Sequence, residues 1–246
     1  MSSSPRAGDG YAVVVTKKAS ESEYPPFYVA VDIVVLTIRD GKLQVMAVRR
    51  SGWPSTGGLA LPGGFVHIDE DLEAAARREL VEETNIEVDY LEQVGTHGAP
   101  DRDPRHRTVS VLYVAVHPDL PEGEAGTDAT EAVWVPVSDL AQIELPFDHN
   151  VLLEDAVERA RAKLEYSPIA AAFCGDTFTI GQLRRVYEIV WGKERNSIDP
   201  SNFQRKVLSA EDFIVATGEV VSDGPGRPAR LYRLGEAKVL NPPVTR

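Results

Sequence analysis

The chain has 246 residues, of which 43% are hydrophobic and 26% charged, and its formal net charge is −12. This length can bury a core in one large or two small domains, and the single cysteine excludes a disulfide framework and a cysteine-rich zinc site. The first residues lack the apolar stretch of a secretory signal and no apolar run is long enough for a membrane span, so we expect a cytoplasmic protein with no membrane partner.

The charge is distributed unevenly along the chain. Residues 167–246 carry a balance of +2, whereas the rest of the chain carries −14. An acidic body with a mildly basic tail indicates two domains with different tasks. We predict a polar arm over residues 1–24, a first domain over 25–166 and a second domain over 167–246.

The first domain begins with a predicted β-hairpin. Residues 28–38 are apolar on both faces and rich in β-branched side chains, which indicates a buried strand. Asp40-Gly41 is typical of a tight turn, and residues 43–50 return as the partner strand. A loop rich in glycine and proline follows over residues 51–64.

Helices and further strands complete this domain. The pattern predicts a helix over residues 71–84 and strands over 88–96, 108–116 and 132–136. A second helix is expected to begin near Asp148, since one helical face carries Leu153, Val157, Ala160 and Leu164. Pro168 lies just beyond it, where a helix often ends.

The predicted helix over residues 71–84 carries three acidic residues on an unexpected side. Glu79, Glu82 and Glu83 are spaced i, i+3, i+4 and share the face of apolar neighbours such as Ala75 and Ala76. Adjacent glutamates ordinarily form a solvated face. Three carboxylates on a semi-buried face repel each other and lose hydration, and Mg²⁺ or Mn²⁺ removes both penalties. We therefore predict that the three glutamates bind a divalent cation.

The same segment resembles the Nudix box, a loop–helix–loop that binds metal and a nucleoside diphosphate. The resemblance rests on Gly64, Glu70 and the run Arg78-Glu79-Leu80-x-Glu82-Glu83-x-x-Ile86. It implies an α/β/α sandwich in which Arg78 and Glu70 orient the loop–helix–loop. In an active member the metal would polarise a diphosphate and activate a water, with Glu79, Glu82 and Glu83 as the catalytic set. The family pattern has glycine where this chain has Asn85, and since both residues tolerate a positive φ, we expect the turn to survive.

Arginines beside the core strands are candidates for holding phosphate. Arg102 and Arg105 lie in the charged turn over residues 101–105, and Arg49 and Arg50 lie at a strand end near the glycine-rich loop. A charged turn is ordinarily only solvated, but guanidinium pairs also suit bidentate phosphate binding. Together with Gly64, these four arginines are the predicted ligand-binding residues.

The second domain has the order of elements of a winged helix-turn-helix. Thr179 and Gln182 form a capping box before one helix, and Asp199-Pro200 begins a shorter one. Strands over residues 213–221 and 230–234 follow, with a hairpin tip between them. In a winged helix the second helix enters the major groove and the hairpin tip contacts the backbone or the minor groove. The predicted DNA-binding residues are Thr179, Asn202, Gln204, Arg205, Lys206, Arg227 and Arg230. A protein-interaction or dimerisation module is the open alternative.

The two domains together resemble the Nudix-related transcriptional regulators of NAD metabolism, the NrtR family. The resemblance covers about residues 25–235 and includes Phe178-Thr-Ile-Gly-Gln-Leu183, Asn202-Phe-Gln-Arg-Lys206, Gly226-Arg-Pro-Ala229 and Phe147-Asp148-His149. It implies a homodimeric repressor of genes for NAD biosynthesis or salvage that releases double-stranded DNA when it binds ADP-ribose. Many members have a degraded Nudix box, whereas this chain keeps its three glutamates. A metal-dependent ADP-ribose pyrophosphatase is therefore the alternative function.

Overall fold

The computed structural model of the protein describes residues 25–118, 120–124, 129–222 and 228–244. Within those residues no helix is both long enough and apolar enough to cross a membrane. The predicted arm over residues 1–24 lies outside the described residues, and so does most of the predicted hairpin tip, including Arg227.

Seven strands of the first domain form one mixed sheet. They are β1 (Tyr28–Arg39), β2 (Lys42–Arg50), β3 (Leu59–Ala60), β4 (Gly63–Phe65), β5 (Glu92–His97), β6 (Thr108–Val116) and β7 (Ala129–Pro136). The order is β3-β2-β1-β6-β5, while β4 pairs with β1 and β7 pairs with β2. The β1–β6 pair is parallel and the other pairs are antiparallel. β1 therefore lies at the centre of the sheet, with partners on both sides.

The predicted hairpin is confirmed, but other strands differ from the prediction in extent. Asp40 and Gly41 have φ values of 50° and 69°, the left-handed conformation of a two-residue turn between twisted strands. The loop predicted over residues 51–64 contains β3 and most of β4, which are too short for a sequence pattern and form by pairing with β2 and β1. The strand predicted from residue 88 begins only at residue 92. Arg77 donates instead to the carbonyl oxygens of Val88 and Asp89, at 2.6 and 3.2 Å.

Helices cover both faces of the sheet. The chain forms α1 (Leu72–Thr84), α2 (Val137–Leu140), α3 (His149–Tyr166), α4 (Ile169–Ala172), α5 (Ile180–Val190) and α6 (Pro200–Ser209). Successive residues of β1 alternate between two apolar layers: Val31, Ile33 and Val35 pack with α1, whereas Val34 and Leu36 pack with α3. The predicted α/β/α sandwich and the two predicted long helices are confirmed.

The second domain is a winged helix. The Thr179 hydroxyl accepts from the Gln182 N–H at 3.1 Å and the Gln182 side chain accepts from the Thr179 N–H at 2.8 Å, so the predicted capping box begins α5. Asp199 caps α6, and Phe203 and Val207 of that helix are buried as predicted. The strands β8 (Ile214–Val221) and β9 (Ala229–Leu234) form an antiparallel hairpin.

The two domains share one apolar core. Leu164 of α3 belongs to the same buried cluster as Tyr187 of α5 and Phe203 of α6. The Tyr187 hydroxyl donates to the Leu164 carbonyl at 3.0 Å, and Arg185 Nη2 donates to the carbonyl of Gly41, in the β1–β2 turn, at 3.3 Å. The winged helix is therefore packed against the sandwich. The boundary after residue 166 stays a prediction.

Candidate functional site

A cavity of about 280 Å³ opens where the end of β2, the loop after it and the turn over residues 101–105 meet. All five residues predicted to bind a phosphate ligand line it: Arg49, Arg50, Gly64, Arg102 and Arg105. They come from segments that are distant in the sequence, so the fold brings them together. Their assignment as ligand contacts stays a prediction.

The floor of this cavity is a buried carboxylate that the sequence interpretation missed. Asp32, on β1, is 7% exposed and accepts hydrogen bonds from Ser110 and, at 3.2 Å, from Arg102. Burial alone would raise its pKa, but the hydrogen bonds from His149 and Ser110 and the charge of Arg102 hold the pKa at about 2. A charged residue in the middle of an apolar strand was the signal that could have revealed it.

Asp32 lies at the centre of a buried network with Arg102 and His149. Arg102 donates to Asp32 and also to Asp148, at 2.6 and 3.0 Å, and its side chain is only 4% exposed. His149 Nε2 lies 3.3 Å from Asp32 Oδ1, while its Nδ1 accepts from the Leu61 N–H at 3.1 Å. Because both ring nitrogens of His149 are engaged and Arg102 is held by two carboxylates, this network shapes the cavity from below.

Two arginines share one aromatic ring at the wall of the cavity. The guanidinium carbons of Arg50 and Arg105 each lie 5.0 Å from the centroid of the Phe147 ring. Arg105 also donates to Asp103 at 2.8 and 3.0 Å, and the Nε of Arg50 donates to the Pro54 carbonyl at 3.2 Å. Burial and the like charge of Arg105 lower the pKa of Arg50. An anion between the two guanidiniums would relieve this repulsion.

The acidic helix is tied together by one arginine. Arg78 Nη2 donates to Glu70 at 2.6 Å, and Arg78 Nη1 donates to Glu79 at 2.7 Å and to Glu82 at 3.0 Å. The side chain of Glu79 is 13% exposed, as its predicted position requires, but that of Glu82 is 48% exposed. At about 100° per residue Glu82 lies on the opposite flank of Glu79 from Glu83, and the glycine loop packs against Glu79 and Glu83, which leaves Glu82 more exposed. The three glutamates therefore do not share one semi-buried surface equally.

The glycine loop lies directly against two of these carboxylates. The Gly63 N–H donates to Glu83 at 2.9 Å, and a Cβ at Gly64 would overlap the Glu79 carboxylate. At the other end of α1, Asn85 has φ 54° and its N–H donates to the Val81 carbonyl. The expectation that asparagine can replace the family's glycine at this turn is confirmed.

The carboxylates of the acidic helix are the type of ligand that a hard divalent cation prefers. In this structure, however, they are bound by other residues of the chain. In the part of the chain that the structure describes, no three His, Cys, Asp or Glu side chains are gathered as a metal cluster. Two of the glutamates are bound by Arg78, and Glu83 accepts from Gly63. Burial is the main cause of the raised pKa of Glu79, and a cation beside this carboxylate would favour its charged form. Metal binding by Glu79, Glu82 and Glu83 stays a prediction.

The winged helix has a cleft of about 870 Å³ between the start of α5, α6 and the β8–β9 hairpin. Three predicted DNA-binding residues line it: Thr179, Gln204 and Arg230. Arg184, which the sequence interpretation missed, lines it as well. The other described candidates lie elsewhere on α6: Asn202, Arg205 and Lys206. Asn202 and Arg205 are exposed and joined by a hydrogen bond of 2.6 Å.

Comparison with known proteins matches both halves of the chain. Residues 27–156 match the NUDIX domain, and residues 170–234 match the NrtR DNA-binding winged helix domain. The ADPR responsive transcriptional repressor NtrR of Acinetobacter baylyi is 33% identical over 215 residues, which cover 87% of this chain and 84% of that protein. The ADP-ribose pyrophosphatase of Methanocaldococcus jannaschii is 34% identical over 150 residues, 60% of this chain and 85% of that protein.

Solved structures of a relative from Shewanella oneidensis are also similar. NrtR in complex with a 27mer DNA is 33% identical, with a TM-score of 0.64, and the match covers 84% of this chain and 93% of that chain. Its NUDIX domain in complex with ADP ribose is 36% identical, with a TM-score of 0.53, over 56% of this chain and 90% of that chain.

Proposed function

Because the chain belongs to the Nudix family and joins its Nudix domain to an NrtR-type winged helix, we propose that it is an ADP-ribose-responsive repressor that binds operator DNA. The observation that carries the proposal is the packing of a cationic ligand cavity and a winged helix around one continuous core. A hydrolase alone has no need of the second domain. We infer that the regulated genes serve NAD biosynthesis or salvage.

The cavity suits the diphosphate of ADP-ribose. Arg50 and Arg105 both lie against the Phe147 ring and offer hydrogen-bond donors to an anion that carries two charges. Arg102 is bound by Asp32 and Asp148, so we assign it to positioning the cavity floor. A divalent cation would be held by Glu79, Glu82 and Glu83 and, when bound, would neutralise diphosphate charge. Gly64 keeps the loop close to Glu79.

The winged helix would bind DNA as one half of a homodimer. With a net charge of only +2 in residues 167–246, one copy has modest, salt-sensitive affinity for a phosphate backbone. Two copies bind half-sites spaced by about one turn of DNA, and a small reorientation of either copy then loses both contacts together. We propose that α6 enters the major groove and that Arg230 contacts the backbone.

A direct connection between the two sites supports effector control. The β1–β2 hairpin carries Asp32 and Arg50 at the cavity, and its turn accepts a hydrogen bond from Arg185 of α5 through Gly41. ADP-ribose can release DNA only if it binds the DNA-incompetent arrangement more tightly than the DNA-competent one. A shift of this hairpin on ligand binding would reach the winged helix without an intervening loop.

A gel shift with the native upstream region tests this function. We expect the purified protein to retard that DNA at low salt and to release it when ADP-ribose is added. A protein that fails to retard the DNA at low salt is not this repressor. If the protein retards the DNA but ADP-ribose does not release it, ADP-ribose is not the effector, whereas the proposed DNA binding stands.

Arg230→Ala is expected to weaken DNA binding by about tenfold and to reduce the salt slope of log K by about 1, because one phosphate contact is lost. ADP-ribose affinity should not change, since Arg230 lines only the winged-helix cleft. Arg233→Ala is the matched control, because Arg233 is an exposed arginine of the same strand that does not line the cleft. Equal losses in both variants would mean that the cleft does not face DNA.

A second candidate function is ADP-ribose pyrophosphatase. Three glutamates of the Nudix box are present, and the half-buried Glu79 lies against the glycine loop, where a cation would stabilise its charged form. Slow hydrolysis would also remove the effector, so the two functions are compatible.

AMP release from ADP-ribose with Mg²⁺ tests the hydrolase. If the wild type turns over, Glu79→Gln should lower the rate by about 10- to 100-fold through weaker cation binding. Glu87→Gln, an exposed acid just beyond α1, is the matched control and should keep the wild-type rate. No release by the wild type, or equal rates in all three proteins, rejects the hydrolase.

A further inference from the structure

Trp53 is an exposed tryptophan beside the cavity, and its ring has no partner in the part of the chain that the structure describes. It is 65% exposed and lines the cavity together with Ser51 and Gly52. The other two tryptophans are engaged: Arg39 lies over the ring of Trp134, and Trp191 stacks on Tyr187. Within the described residues, no aromatic ring or cation contacts the indole of Trp53. Its faces are available to a planar group.

The loop that carries Trp53 is held in place by the arginines of the cavity. Arg49 Nη1 donates to the Gly57 carbonyl at 2.7 Å, and Arg50 Nε donates to the Pro54 carbonyl at 3.2 Å. The Arg50 backbone also exchanges hydrogen bonds with Gly57 and Gly58, at 2.9 and 3.0 Å. The backbone that carries Trp53 is therefore held close to Arg50.

The space at Gly52, the residue before Trp53, is open and belongs to the cavity that Arg50 and Arg105 line. A Cβ at Gly52 would meet no atom within 4 Å. Arg50 contacts Phe147 with its guanidinium and bonds to Pro54, the neighbour of Trp53, with its Nε. A ligand whose phosphates are held by Arg50 and Arg105 thus has its next group within reach of Trp53. In a nucleoside diphosphate, that group is a ribose followed by a flat base.

We propose that Trp53 stacks on the nucleobase of the effector and makes the cavity selective for nucleotides over sugar phosphates. The proposal rests on the proposed function, since it places the diphosphate at the arginine pair. Aromatic side chains stack on any base without reading its edges, and each stack changes affinity by roughly 5- to 100-fold. The cavity would therefore select ligands that carry a base, whichever base it is. The alternative is that Trp53 is an exposed surface residue with no role in ligand binding.

Titrations of the full-length protein with ADP-ribose, ADP and ribose 5-phosphate test the proposal. We expect Trp53→Ala to weaken ADP-ribose and ADP at least fivefold and to leave ribose 5-phosphate unchanged. Trp53→Phe should keep most of the affinity, because it retains an aromatic face. Indole fluorescence should change on binding of ADP-ribose in the wild type and in the control Trp134→Phe, but not in Trp53→Phe.

Either of two results with Trp53→Ala would overturn the proposal, and so would one result with the wild type. One is unchanged ADP-ribose affinity in Trp53→Ala, and the other is an equal loss for ADP-ribose and ribose 5-phosphate, which would indicate a damaged cavity. A wild type that binds no adenine nucleotide would overturn it as well. If binding depends on Trp53 but ADP-ribose does not release DNA, the proposed function fails and the stacking stands.

Discussion

Asp32→Asn is expected to lower the free energy of unfolding by about 3 kcal/mol, because it removes the charge of a buried ion-pair network and leaves its partners in place. Arg102 would keep Asp148 as its only carboxylate, and the single oxygen of the amide could accept either from His149 or from Arg102 and Ser110, but not from both sides. The amide has nearly the size of the carboxylate, so the loss is electrostatic and not a cavity effect. Urea denaturation at neutral pH measures it.

The same variant predicts a pH dependence with a definite sign. Because the pKa of Asp32 falls from 3.8 to about 2 on folding, its contribution is complete above the unfolded value and is lost as the pH falls toward about 2. The difference between the wild type and Asp32→Asn should therefore shrink below pH 4. Asp89→Asn, at an exposed position, is the matched control. If it destabilises the protein as much as Asp32→Asn does, the network does not hold the cavity floor.

The double substitution Arg50→Ala with Arg105→Ala is expected to abolish the response to ADP-ribose while DNA binding persists. Each charge-assisted hydrogen bond to a phosphate contributes about 1.5–3 kcal/mol, so losing both arginines should weaken the ligand by about 100-fold or more. Both residues lie at the cavity and neither lines the winged-helix cleft. A gel shift across a range of ADP-ribose concentrations measures the effect.

A matched control makes this result specific to the cavity. Arg107→Ala removes an arginine near the same turn that contacts Phe27 and does not line the cavity. Arg107→Ala should release DNA at the same concentration of ADP-ribose as the wild type does. If the double variant also releases DNA at that concentration, the effector binds elsewhere. Loss of DNA binding in the double variant would instead mean that the two sites are not separable.

The glutamates of α1 show which part of their burial a helical pattern predicts and which part it does not. Spacing correctly placed Glu79 and Glu83 on a semi-buried face, because helix geometry is local and regular, and the structure brings the glycine loop against both. The same spacing placed Glu82 with them, whereas its side chain is half exposed and bound to Arg78. Burial of a helix flank depends on what packs against it, and the pattern of the helix does not contain that information.

The amino-acid sequence by itself determined the elements whose hydrogen bonds close within a few residues. These include the Asp40–Gly41 turn, α1 between its Asp71 cap and Asn85, and the Thr179 capping box. Only the tertiary structure decided the cavity, where Asp32 and Arg102 meet from positions 70 residues apart. The physical reason is that local geometry depends on neighbouring residues, whereas a contact across the chain forms only when β1, β6 and the loops between them have packed.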